Sequence, residues 1–160
     1  MAEAPVPIVE QIALNIVTSL GVVIAGADYV NTITVKRVAR KPASPADKLV
    51  AVMQADPLED PDKMIPRSTH SGWLQPFVFA CFVRESDKST IAIDTRLNSS
   101  RTDVEKALMQ DPRRGGLCWK DCWIAPAEYE SDATEGGIEC VYVPLVAPYM
   151  TLRNNPYRQK

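Results

Sequence analysis

The chain has 160 residues, 46% apolar and 24% charged, with a formal net charge of −2. A chain of this length buries about 70% of the surface that its unfolded form exposes, so a single domain over residues 1–160 needs neither a metal nor a disulfide to fold. The composition excludes a disordered chain, and the charge balance gives no basic face for nucleic acid.

The first element is a helix. Pro5 and Pro7 stand at its start, where missing N–H groups cost nothing. In "IVEQIALNIVTSLGVVIAG", Val9, Ile12, Ala13, Ile16 and Leu20 fall on one side of a helical wheel and Gln11, Asn15 and Thr18 on the other. That pattern is an amphipathic helix rather than a membrane span, and Gly21 or Gly26 ends it. No lysine or arginine precedes the stretch, so no signal peptide is expected and the chain is expected to be soluble and intracellular.

"NTITVKRVARK" (31–41) alternates as a strand does, with a parity slip at Lys36–Val38 that predicts a bulge or twist. "KPASPADK" is a loop by its prolines, and "LVAVMQAD" (49–56) is a second strand. Residues 57–72 have no period and hold three prolines, three acids and a glycine. They are expected to form a long exposed loop or a flexible hairpin, mobile in the free protein. "WLQPFVFACFV" (73–83) is apolar on both parities after Pro76, which predicts a central strand covered on both faces.

A helix over 101–110 follows, capped by Ser99 or Ser100, with Asp103 and Glu105 near its positive end. Val104, Ala107 and Leu108 form its buried stripe, and Asp111–Pro112 stops it. Residues 122–131 and 138–152 give the last strands, turned at Gly136–Gly137, and the tail 153–160 is polar. Consecutive strands with two helices predict an α+β domain: a mixed, largely antiparallel sheet with two main helices packed on it.

No chemical motif stands out. The four cysteines are Cys81, Cys118, Cys122 and Cys140, and the one histidine is His70. Their spacing suits reduced, mostly buried thiols better than zinc, which wants CxxC pairs or several histidines. A catalytic cysteine needs an activating partner, and Cys118 beside Trp119 shows none. Asp56, Glu59, Asp60 and Asp62 are interrupted by Pro57 and Pro61, so they form a solvated acidic loop rather than a calcium site. Arg113 and Arg114 follow a helix C-terminus, where they complement its negative end, whereas a phosphate cradle precedes a helix. No catalytic residue, metal or cofactor is expected.

"WLQPFVFACFVRESDKSTIAIDTRLNSSRTDVEKALMQD", together with "NTITVKRVAR", "VMQADPLEDPD" and the closing "RNNPY", resembles the small tail-completion proteins of tailed bacteriophages. In layout the chain is similar to the tail terminators related to the minor tail protein U of phage lambda. The likeness covers most of the chain as an order of elements and is strongest from Trp73 to Gly116 and in the last residues. It implies a non-enzymatic virion protein, assembled in the host cytoplasm, whose subunits form a ring, a hexamer in the family. Such a ring caps the tail tube, ends its polymerisation and meets the neck or head-completion protein. The candidate subunit and partner contacts are then Asp56, Glu59, Asp60 and Asp62, Arg113 and Arg114 at an exposed helix tip, and Arg153 and Tyr157 in the tail. Two alternatives remain: a head-completion or neck protein, and a small metal-binding or enzymatic domain using Cys118, Cys122 and His70.

Overall fold

The computed structural model describes residues 5–63, 69–85, 89–134 and 137–158, with the side chains of residues 63 and 131–134 outside that description. In chain order the elements are α1 (Ile8–Gly21), β1 (Thr34–Arg37), β2 (Leu49–Gln54), β3 (Leu58–Glu59), a 3-10 turn (Pro61–Lys63), β4 (His70–Arg84), α2 (Ile93–Met109), β5 (Trp123–Ile124), β6 (Glu128–Thr134) and β7 (Ile138–Leu152). All seven strands join one sheet, in which β1 pairs parallel to β2 and every other pairing is antiparallel. The fold is α+β, as the sequence predicts.

The sheet is built on β4 and β7, paired residue for residue from His70↔Leu152 to Arg84↔Ile138. Short strands flank this pair. On the outer edge of β4 lie β2 and then β3; on that of β7 lie β6, β5 and the single bridge Cys118↔Tyr149. Three prolines stand inside the long strands, Pro76, Pro144 and Pro148, where proline normally removes a ladder hydrogen bond. Each carbonyl accepts from a connecting segment: Ala55 N–H at 3.2 Å, Ala125 N–H at 2.9 Å and Trp119 N–H at 3.1 Å. A strand residue's N–H points to the same side as its C=O. The missing N–H of each proline therefore faces the outer edge, at a junction between two flanking segments, and the β4–β7 ladder loses nothing.

Strand alternation sorts the core. Phe77, Phe79, Cys81 and Val83 of β4 and Val141, Val143, Leu145 and Ala147 of β7 face the helices. Ala80, Phe82, Ile138 and Cys140 form a smaller cluster on the opposite face with Leu49 and Ala51. Helix α1 adds Ile8, Ile12, Ala13, Ile16 and Leu20 to the main core, and α2 adds Leu97, Val104, Ala107 and Leu108. Pro7 caps α1 without a side-chain hydrogen bond, and the tail supplies a partner instead: Ile8 N–H donates to the Pro156 carbonyl at 3.1 Å.

Four expectations need correction. The first strand spans Thr34–Arg37, not 31–41, and it ends where the parity slips instead of bulging there. Residues 57–72 are not one exposed loop: 58–59 pair with Leu74 and Trp73, Asp60 is buried, and 70–72 already belong to β4. Residues 64–68 of that segment lie outside the described residues, as do 135–136 of the β6–β7 turn. Helix α2 begins at Ile93, so Ser99 and Ser100 sit within it rather than capping it. Ser99 and Thr102 instead return hydrogen bonds to the carbonyls of Thr95 and Asn98, both at 2.8 Å, which occupies hydroxyls that otherwise compete with the helix. Finally, Asp103 is a mid-helix residue and is buried.

Asp103 has structural work of its own. Its carboxylate accepts from Val30 N–H at 3.1 Å, Asn31 N–H at 2.8 Å and Asn31 Nδ2 at 2.9 Å, which bolts the loop between α1 and β1 onto α2. Removing it leaves buried donors unpaired, a loss of about 2–3 kcal/mol. We expect Asp103→Ala to lower the urea unfolding free energy by that amount and to raise hydrogen exchange at Val30 and Asn31. An unchanged exchange rate at both amides would show that other contacts hold the loop.

Candidate functional site

The acidic segment folds by local chemistry. Asp56–Pro57 ends β2, and Leu58–Glu59 then pairs with Trp73–Leu74 to make β3. Asp60 N–H donates to the Gly72 carbonyl at 3.0 Å, and Asp60 Oδ1 accepts from Asp62 N–H at 3.1 Å. This is an Asp cap followed by proline at the first helical position, and it starts the turn Pro61–Lys63. The cap turns the Asp60 carboxylate inward, where it is 1% exposed.

The countercharge comes from the other side of the β4–β7 pair. Lys120 Nζ lies 3.8 Å from Asp60 Oδ2 and 3.3 Å from Asp62 Oδ2. The same ammonium sits over the rings of Trp119 and Trp123, 4.5 and 5.5 Å from their centroids. Cation–π contact and two carboxylates thus fix one lysine across this end of the sheet.

Beside it opens a groove of about 210 Å³, walled by Pro7, Val9, Pro57, Trp73, Tyr149 and Pro156, with Thr151 and Arg153 also lining it. Trp73 Nε1 donates to Thr151 Oγ1 at 3.3 Å, so the indole presents its apolar surface with its polar edge engaged. The tail closes one side. Arg153 N–H donates to the Thr69 carbonyl at 2.8 Å, and Leu152 N–H to the Arg158 carbonyl at 2.9 Å, so residues 152–158 form a folded turn. Tyr157 is exposed on it.

The structure therefore gathers most of the candidate contacts at one end of the sheet. Asp56, Glu59 and Asp62 are exposed on the acidic segment, and Arg153 and Tyr157 on the tail turn. Asp60 is inside, serving as a cap and a charge partner. Arg113 is exposed and pairs within its own chain, its Nε 2.7 Å from Asp121 Oδ1. Arg114, expected at an exposed tip, is fully buried with φ +51°, a left-handed conformation that turns its side chain inward. Arg113 and Arg114 are therefore not a matched pair.

Sequence reasoning missed Lys120 and the tryptophans around it. The available signal was "CWKDCW", where two aromatics flank a lysine and an acid within six residues. Among the described residues, no three His, Cys, Asp or Glu side chains are placed to hold a metal ion, and His70 Nδ1 lies 3.0 Å from Thr69 Oγ1. No described helix is long and apolar enough to cross a membrane. In comparisons with known proteins, the chain matches no family model and no curated sequence.

The Lys120 bridge makes unequal demands on its partners. Breaking a pair with a buried carboxylate strands that charge, whereas exposed pairs contribute little. We expect Lys120→Met to destabilise the fold by about 1–2 kcal/mol and Asp62→Asn by less than about 0.5 kcal/mol. Thermal unfolding of the two variants measures this, and equal losses would show that Asp60 does not depend on the lysine.

Proposed function

We propose that the chain is a structural protein of a tailed bacteriophage virion, a tail-completion subunit. Copies of it form a ring on the finished tail tube, stop the tube's polymerisation and offer the surface to which the neck of the head joins. The sequence resemblance motivates this reading, and the α+β sheet-and-helix architecture accords with what that resemblance implies.

The observation that carries it is a pair of apolar surfaces at opposite ends of α1. At the N-terminal end lies the groove of Pro7, Val9, Trp73, Tyr149 and Pro156. At the C-terminal end, about 21 Å away by the rise of a 14-residue helix, the loop into β1 exposes Val22, Ile24 and Val30 at 57, 63 and 70%. Large apolar side chains that exposed on one short loop mark a contact surface rather than scattered surface residues. Two different patches on one subunit make a head-to-tail interface, which closes into a ring when the rotation permits. The groove, at about 210 Å³, is smaller than the roughly 300–1,000 Å³ of small-molecule sites and suits one or two side chains of a neighbour. Asp103 holds the protruding loop rigid before assembly, which lowers the ordering cost of docking. Asp28 on the same loop, 3.8 Å from Lys106 Nζ and with its side chain 80% exposed, gives the groove's Arg153 an acidic counterpart on the next subunit.

Changing Ile24 and Val30 to aspartate tests this reading. Both side chains are mostly exposed, so the variant should unfold within about 0.5 kcal/mol of the parent. Electron microscopy of virions assembled with it should show tails of uncontrolled length, or tails that fail to join heads. Normal, joined tails would overturn the proposed interface, and absence of the chain from purified virions would overturn the proposed role.

A further inference from the structure

Beneath the surface turn that carries Lys120 lies a cluster the assembly role does not use. Backbone hydrogen bonds wind residues 111–122 tightly: Arg114 N–H donates to the Asp111 carbonyl, Gly116 and Cys118 N–H to that of Arg113, and Cys122 N–H to that of Pro112 at 2.8 Å. This winding brings Cys118 Sγ and Cys122 Sγ to 3.6 Å. A disulfide needs about 2.05 Å, so the two sulfurs are in contact but unbonded. Both cysteines are free and 2% exposed.

Arg114 points into the same place. Its side chain is fully buried, and none of its three guanidinium nitrogens has a hydrogen-bond partner among the described residues. Asp111, the nearby carboxylate, is engaged elsewhere through Oδ2, which accepts from Gly115 N–H at 2.6 Å and from Asn15 Nδ2 at 3.4 Å. A buried guanidinium stays charged and needs a counter-group. Its charge reaches both thiols, Cys122 and Cys118, and favours their ionised forms. The left-handed backbone at Arg114 costs of order 1 kcal/mol, and it goes with a side chain turned away from solvent.

We propose that Cys122 is a hydroperoxide-reactive thiol in the buried pocket it shares with Arg114, and that Cys118 resolves its oxidised form into an intramolecular disulfide. The Cys122 sulfur attacks one peroxide oxygen, the O–O bond breaks, and sulfenic acid and hydroxide form. Cys118 gives its proton to the hydroxide and attacks the Cys122 sulfur. The S–O bond breaks, and the departing hydroxyl takes a solvent proton, equal to the one Cys122 first released. Two thiols are oxidised by two electrons and the hydroperoxide is reduced; with hydrogen peroxide the products are two waters. Electrostatics agree with the order of events. The hydrogen bond between the two thiols, in which either sulfur can donate, and the guanidinium charge hold Cys122 below the usual thiol range despite burial and Asp111, while the same hydrogen bond and burial push Cys118 up. Cys81 and Cys140 lack such a partner; burial raises both, Cys140 to about 12, which makes them internal controls. Cys122 is buried between two exposed neighbours in sequence, Asp121 and Trp123.

The experiment treats the native chain with hydrogen peroxide, blocks remaining thiols and maps the product by mass spectrometry. Trypsin cuts at Lys120, between the two cysteines, so the expected disulfide joins two peptides. In Cys118→Ser, dimedone should trap sulfenic acid on Cys122 while leaving Cys81 and Cys140 unlabelled; in Cys122→Ser, Cys118 should stay unlabelled. Arg114→Met should slow disulfide formation by at least about tenfold, with partial rescue in Arg114→Lys. Variants at so buried a position risk unfolding, so the two cysteine variants carry the test. Failure of the native chain to form the 118–122 disulfide would overturn the proposal, as would labelling of Cys118 as fast as Cys122.

Discussion

The one-to-one pairing of β4 with β7 is the constraint on which the rest of the molecule depends. Fifteen consecutive partners leave no room for a register slip, and in a strand a slip of one residue would send every core side chain to the opposite face. Because the register is fixed, Phe77 and Phe79 must face α1 and α2 while Ala80 and Phe82 face away. The flanking strands are short because each needs only to cover a stretch of outer edge, and the tail turn sits where it does because Leu152 ends the ladder beside His70.

Much of this architecture was legible in the chain because it is written in periodicity. The α1 stripe of Ile12, Ala13, Ile16 and Leu20, the double-parity run of β4 and the limits of β7 at Ile138 and Leu152 all follow from where apolar residues recur. The start of α2 was not legible. Its first two turns, Ile93 to Ser100, hold serine, threonine and asparagine, which resemble a cap until tertiary packing of Leu97 draws them into the helix. The acidic segment hid its order for a similar reason: two prolines and several carboxylates carry no period, and β3 is only two residues long.

The candidate site was legible as segments and not as a site. Composition pointed to 56–62 and 153–157, and the fold brings both to one end of the sheet. What composition could not supply was direction. Asp60 and Asp62 differ by two positions, yet one is buried and the other open, because the first caps a turn. Arg113 and Arg114 differ by one, yet a single positive φ sends them to opposite environments. Charge placement of this kind depends on backbone dihedrals, which residue type alone leaves open outside glycine and proline. The two loops that matter most differ in design: 22–33 is held from inside by the buried carboxylate of Asp103, and 111–122 by its own backbone hydrogen bonds around a buried Arg114 that has no hydrogen-bond partner among the described residues.

The prolines at 76, 144 and 148 also set how the molecule can vary. Each marks a seam where one flanking segment hands over to the next, and at each seam the long strand offers only a carbonyl. Connectors that meet two of these seams, 55–57 and 125–127, can lengthen or shorten without transmitting a shift to the central pair. The sheet thus combines an inflexible spine with interchangeable margins. A lineage of such proteins can remodel the surface it shows to different partners while its interior stays constant, and its members would be recognisable to one another by their spines long after their margins had ceased to correspond.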